Sequence, residues 1–264
     1  MPDDLIKFWR RCSLTEPPFA HPDDWPILRK LQGRYIDEEP KDFQRFVSSS
    51  RFGDFTDTRL HLSLMPIPYG GDLRVADIIV LLLNPGFSFT DYYAETHMPA
   101  YRRRLEQTLA QDFEGIDFPF VWLDPEFCWH SGFVWWEGKL RDVITRIAKE
   151  KFNGRYVDAL RDVSKRLAHV ELVPYHSSSF GAHQLIEDLP SVHAVRRFAQ
   201  EALVKAANQG ARTIIVTRQA ASWRLPADTR NLAVYEGGHT RGASLGSKSL
   251  GGRAILARYG ISDN

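Results

Sequence analysis

Asn84-Pro85-Gly86 is the first place in the chain where residue types and order point to chemistry. A carboxamide held in direction by the proline after it, and opened to close approach by a residue with no Cβ, can orient a water or read a ligand edge. The same three residues also form an ordinary Asx-type turn, and on these residues alone the two readings stand level. Further along, Pro174 to Ser179 (PYHSSS) brings His176 together with Ser177 and two more hydroxyls. Glu236 to Gly242 (EGGHTRG) sets His239 in a glycine-rich loop, with Arg241 two positions later as a guanidinium suited to a phosphate. Arg218-Gln219-Ala220-Ala221 supplies a fourth polar stretch.

Each of these stretches follows a segment that reads as a strand. Ala76 to Leu83 (ADIIVLLL) is a near-continuous aliphatic run with no wet face, the pattern of a strand covered on both sides. Val170 to Val173, Thr213 to Thr217 and Asn231 to Tyr235 are shorter runs of the same kind, and amphipathic stretches over Lys139 to Lys151, Tyr156 to Leu167 and Val192 to Gln209 read as helices between them. Strands alternating with helices predict an α/β fold: a three-layer sandwich around a central, mostly parallel four-stranded sheet, with Ala76 to Leu83 in its middle. Ligands of such sheets bind at the carboxyl ends of the strands, where the four polar stretches fall. Residues 1–59 read as an N-terminal helical extension with a balanced, solvated charge pattern, and residues 60–264 as the α/β domain. An aromatic insertion at about 113–138 carries four of the seven tryptophans and reads either as core packed over the sheet edge or as a wall for a planar ligand.

Taken in this order, the loops resemble the uracil-DNA glycosylase superfamily. In its asparagine-type branches, the thymine- or mismatch-specific and single-strand-selective enzymes, a water-positioning motif reads Gly-(Ile/Met)-Asn-Pro-Gly. Leu82-Leu83-Asn84-Pro85-Gly86 stands in that place without the leading glycine. The family's second motif, a His-Pro-Ser or related loop after the last strand, is matched by His239-Thr240-Arg241 with Ser244, without the proline. The likeness runs from Leu60 to Ile261. The aspartate base of one branch is not matched, and where another branch places a uracil-reading asparagine this chain has Tyr175, His176 and Ser177.

The resemblance implies hydrolysis of the N-glycosidic bond of a flipped-out, uracil-like or mismatched base, with Asn84 holding the attacking water and His239 donating to the departing base. Phe87 or Phe89 would stack on the base, Pro85, Gly86, His176 and Ser177 would line its pocket, and Arg241 and Ser244 would meet the backbone. The partner is then DNA, single- or double-stranded, or another nucleobase-containing ligand. The alternative is a non-catalytic module that keeps the fold and binds a nucleobase, nucleotide or nucleic acid. No cofactor or metal is implied.

Composition narrows the choice further. The chain's 264 residues correspond to one large domain or two small ones, at roughly 150 residues each. With 34 Lys and Arg against 33 Asp and Glu, the net charge of +1 provides no global attraction to nucleic acid. A local patch remains: between Arg212 and Arg258 eight cations face two acids. Cys12 and Cys128 stand far apart in sequence, too few for a cysteine-built zinc or iron-sulfur site, and read as buried free thiols. His176 and His183 lack an HExxH-like partner, Gly242 to Ser249 departs from P-loop spacing, and no GxGxxG follows the first strand. No apolar run approaches the ~20 residues of a membrane span, and MPDDLIKFWRR lacks a secretory apolar stretch, so a cytoplasmic protein is expected.

Overall fold

The computed structural model of the chain describes residues 2–54, 56–236 and 244–262. Two short strands, β1 (Ile36–Asp37) and β2 (Leu60–His61), pair in parallel near the N-terminal end. The main sheet contains β3 (Tyr69–Gly70), β4 (Ile78–Leu82), β5 (Leu167–Glu171), β6 (Thr213–Val216) and β7 (Leu232–Val234) in the order β3-β5-β4-β6-β7. The last four run parallel, with β4 between β5 and β6 as its aliphatic run predicts. Helices make up 46% of the structure, and the fold is α/β with a mixed, mostly parallel sheet.

The aliphatic run is divided between two cores. Ile78 and Val80 face one side with Leu167, Ile215 and helices Ser131–Lys151, Tyr156–Arg166 and Leu250–Arg258. Ile79 and Leu81 face the other with Ala168, Val170, Ile214 and Val216, beneath helices Pro2–Trp9 and Pro190–Phe198. Successive strand side chains point to opposite faces, so a run without polar interruptions must be covered twice. Ile78, Ile79, Val80 and Leu81 are fully buried, and each such side chain contributes about 1.5–3 kcal/mol.

The structure differs from the sequence reading in four respects. The sheet has five strands rather than four, because Tyr69–Gly70 adds an antiparallel edge pairing Tyr69 with Val170 and Gly70 with His169. Two residues inside a Pro- and Gly-rich turn are too short to show any alternation. The second strand also begins earlier, at Leu167, since helix Tyr156–Arg166 passes directly into extended backbone there. The ladder still reaches Val173, whose N–H donates to the Leu83 carbonyl at 2.8 Å.

Residues 1–59 are also more than a solvated layer. Leu5, Trp9, Leu28 and Ile36 sit in the same core as Ile79 and Val170. Asp24 is fully buried, accepting from the Tyr175 hydroxyl at 2.6 Å and the Ser191 N–H at 2.9 Å. Both cysteines are free; Cys12 is buried, whereas Cys128, just beyond the short turn Pro125–Phe127, is exposed.

Candidate functional site

A cleft of about 810 Å³ opens at the carboxyl ends of β4, β5 and β6. That size lies within the ordinary range for small-molecule sites. Asn84, Pro85, Gly86, Phe87, His176 and Ser177 all line it, together with Thr217 and Arg218.

The loops after β4 and β5 are stitched together. Asn84 Nδ2 donates to the Pro85 carbonyl at 2.9 Å, the Tyr175 carbonyl at 3.2 Å and Ser177 Oγ at 2.9 Å. With carbonyl oxygens as two of its neighbours, this end of the carboxamide must be the NH₂, which leaves Oδ1 as an acceptor. The Ser177 N–H returns a bond to the Pro85 carbonyl, and His176 Nδ1 lies 2.7 Å from the Gly86 carbonyl. A carbonyl can only accept, so Nδ1 carries a proton; Nε2 is buried and has no hydrogen-bond partner.

The N-terminal segment supports this arrangement from behind. Asp24 holds Tyr175 on the far side of the loop, so alternation turns His176 toward the cleft. The His61 N–H donates to the His176 carbonyl at 2.9 Å, and the His61 ring stacks on Phe87 with centroids 4.0 Å apart. Arg51 bonds His61 Nε2 at 3.1 Å and Asp57 at 2.8 Å. Burial and the Arg51 charge push His61 down to about 2, so its ring stays neutral.

The two phenylalanines part at Ser88. Its hydroxyl caps helix Phe89–His97, and Asp91 returns a bond to the Ser88 N–H at 2.6 Å, completing a capping box. Phe87, before the cap, faces the cleft, whereas Phe89 packs on Phe46 and Phe52 and does not line it. Asp91 also approaches His130 Nε2 at 3.2 Å, and His130 caps helix Ser131–Lys151 by accepting from the Gly132 N–H. Two helix N-termini therefore meet at the cleft, each bringing partial positive charge.

The aromatic insertion contributes both to the core and to the lining of the cleft. Trp122 and Trp136 are buried in the core and line the cleft, whereas Trp135 lines it while 47% exposed. Lys139 lies 5.5 Å over the Trp135 ring, and burial together with the Arg218 charge lowers its pKa. These two cations mark the rim.

Sequence reasoning missed the β5 side of the cleft. Leu167, His169 and Glu171 share one face of the strand, and both polar residues line the cleft while only 2% and 3% exposed. His169 Nδ1 lies 3.2 Å from Glu171 Oε1, and Phe120, Trp122 and Trp136 surround the imidazole. Burial raises the Glu171 pKa and the histidine opposes that rise. The available signal was a histidine and a glutamate two positions apart in a strand buried on both faces. Gly70 makes room for this group: a Cβ there would lie 2.3 Å from Trp122 and 2.5 Å from His169 Nε2. Gly70→Ala is therefore expected to destabilise the protein by about 1–3 kcal/mol through overpacking, and an unchanged denaturation midpoint would show that the rings have slack.

His239 and Arg241 lie outside the described residues. Ser244 does not line the cleft; its carbonyl accepts from the Tyr235 hydroxyl. Among the described residues no cluster of His, Cys, Asp or Glu is arranged to hold a metal, and no helix is long and apolar enough to cross a membrane. Comparison with protein-family models, curated proteins and solved structures finds no match for this chain.

Proposed function

We propose that the chain hydrolyses the N-glycosidic bond of a base extruded from nucleic acid into this cleft. The observation that carries the reading is the fixed Asn84 carboxamide, with Nδ2 committed to the protein and Oδ1 left as an acceptor beside an aromatic wall. Oδ1 takes a hydrogen from a water and so turns the water's lone pair toward the anomeric carbon. As the new C–O bond forms, the C–N bond breaks and its electron pair leaves with the base; the proton shed by the attacking water ends on the departing base, so the products are the sugar hydroxyl and the neutral base. Charge developing on that ring calls for a donor aimed at it, the role assigned to His239. Phe87 and Trp135 offer faces for stacking, worth about 1–3 kcal/mol per base, while Lys139 and Arg218 suit the flanking phosphates.

The second reading is a non-catalytic nucleotide- or nucleic-acid-binding module. One observation favours it: the Asn84 amide is engaged with three protein acceptors, as a purely structural amide would be. A panel of duplex and single-stranded oligonucleotides carrying uracil, hypoxanthine, xanthine, mismatched thymine and mismatched guanine separates the two. Release of any one base, with binding that weakens steeply with salt, is the expected result. Nucleotide binding without release from any substrate would leave the binding module as the function.

A further inference from the structure

The floor of the cleft holds polar groups that the hydrolytic reading does not use. Glu171 is 3% exposed, lines the cleft, and has in Oε2 a buried oxygen with no hydrogen-bond partner. His176, also 3% exposed and on the same wall, presents the unpartnered Nε2. Buried polar atoms in folded proteins nearly always have a partner, and unpaired ones at a cleft wall mark the place where a ligand or water supplies it. With Glu171 ionised, Oε2 is an open acceptor, so the group that completes it is a donor.

We propose that Glu171, oriented by His169, is the specificity-determining residue of the cleft, and that the ligand it selects carries a ring N–H beside an exocyclic amino group, as guanine does. This rests on the reading of the cleft as a nucleobase pocket. A carboxylate is planar and holds two acceptor oxygens side by side, the geometry that matches two parallel N–H donors. Oε1 lies 3.2 Å from His169 Nδ1, and Oε2 has no hydrogen-bond partner, so its capacity is open.

Position supports the assignment. Glu171 is the last residue of β5 and pairs in register with Leu82, two residues before Asn84, so the reading group and the water-holding group stand on neighbouring strands at one sheet edge. The wall beside it is aromatic, with Trp122 and Trp136 on the His169 ring, as a planar heterocycle requires. Uracil fits this floor poorly. It offers one N–H between two carbonyl oxygens, whose lone pairs would face the carboxylate. Hypoxanthine has the ring N–H but a C–H where guanine has its amino group.

The test is calorimetric titration of the intact chain with dGMP, dIMP and dUMP, in wild type and in Glu171→Gln. dGMP and dIMP differ only in the amino group. Wild type is expected to bind dGMP about tenfold or more tighter than dIMP or dUMP, the scale of one bidentate base contact. Glu171→Gln, which turns one acceptor into a donor, should bring dGMP and dIMP within about threefold of each other. Equal binding of the three nucleotides by wild type overturns the proposal without recourse to the variant, as does a dGMP preference that survives Glu171→Gln in a protein with a normal unfolding transition. Failure of all three to bind overturns both this proposal and the nucleobase reading of the cleft. A dGMP preference in a protein that releases no base from any oligonucleotide supports the proposal and removes only the hydrolase reading.

Discussion

Asn84→Ala is expected to lower base-release turnover by about 10²- to 10³-fold while leaving nucleic-acid affinity within a few-fold of wild type. Loss of a comparable positioned group costs on the order of 2.7–4 kcal/mol of transition-state stabilisation, and an interaction made chiefly on the way to the transition state appears in kcat rather than in binding. The structure adds a competing effect, because the same side chain ties the β4 and β5 loops through Pro85, Tyr175 and Ser177. Ser177→Ala separates the two: it removes one of the Nδ2 acceptors and leaves Oδ1 in place. Single-turnover kinetics and fluorescence anisotropy on the oligonucleotide that the panel selects should show a small change for Ser177→Ala and a large one for Asn84→Ala. Equal losses in both variants, or a loss of binding that matches the loss of turnover, would make Asn84 a loop support. Arg241→Ala is expected to do the reverse of Asn84→Ala, weakening binding across sequences and lowering the salt slope by about one.

The second large effect concerns stability. Glu95 lies in helix Phe89–His97, buried, with both carboxylate oxygens facing the Met65 N–H at 3.0 and 3.2 Å. Burial raises its pKa from 4.5 to about 8, with the nearby Asp91 charge adding to the rise against the Met65 hydrogen bond. A carboxyl whose folded pKa exceeds its unfolded value binds its proton more tightly when folded. Its stabilising contribution is fully present below pH 4.5 and is lost as pH rises toward 8. One pKa unit corresponds to ~1.4 kcal/mol, so the loss across this window is of order 5 kcal/mol.

Glu95→Gln keeps the shape and the acceptor for Met65 but has no proton to release. The variant and wild type should therefore unfold within about 1 kcal/mol of each other at pH 5, with the variant ahead by several kcal/mol at pH 8. Urea denaturation at the two pH values checks this. A difference that does not grow with pH would mean that Glu95 titrates normally. His61 works in the opposite sense: its folded pKa lies far below 6.5, so its contribution is present above pH 6.5 and lost as pH falls. Comparing variant with wild type cancels that background.

Some of this molecule is written locally in its sequence. Six consecutive aliphatics at Ile78 to Leu83 have no polar face to offer water, so a strand covered on both sides, and with it an α/β fold, follows from residue type alone. Asn84 and Ser177 could be placed at the cleft edge of the sheet for the same reason: parallel strands bring their carboxyl ends together whatever the details of packing. Strand β3 and the start of β5 were hidden, because two residues in a turn and a helix running directly into a strand carry no period of their own.

Which way a side chain turns depended on partners far away in the chain. Phe87 faces the cleft because His61 stacks on it, and Phe89 turns aside to meet Phe46 and Phe52. Tyr175 is drawn away by Asp24, a residue that sequence placed in a solvated extension. His169 and Glu171 become the cleft floor only when β5 pairs with β4 in this register and Gly70 leaves room for their aromatic cover. Local periodicity establishes that a strand has two faces. Which face meets a ligand is decided by the elements that cover each one, and that choice rests on contacts between residues separated by tens to more than a hundred positions, which no local pattern encodes.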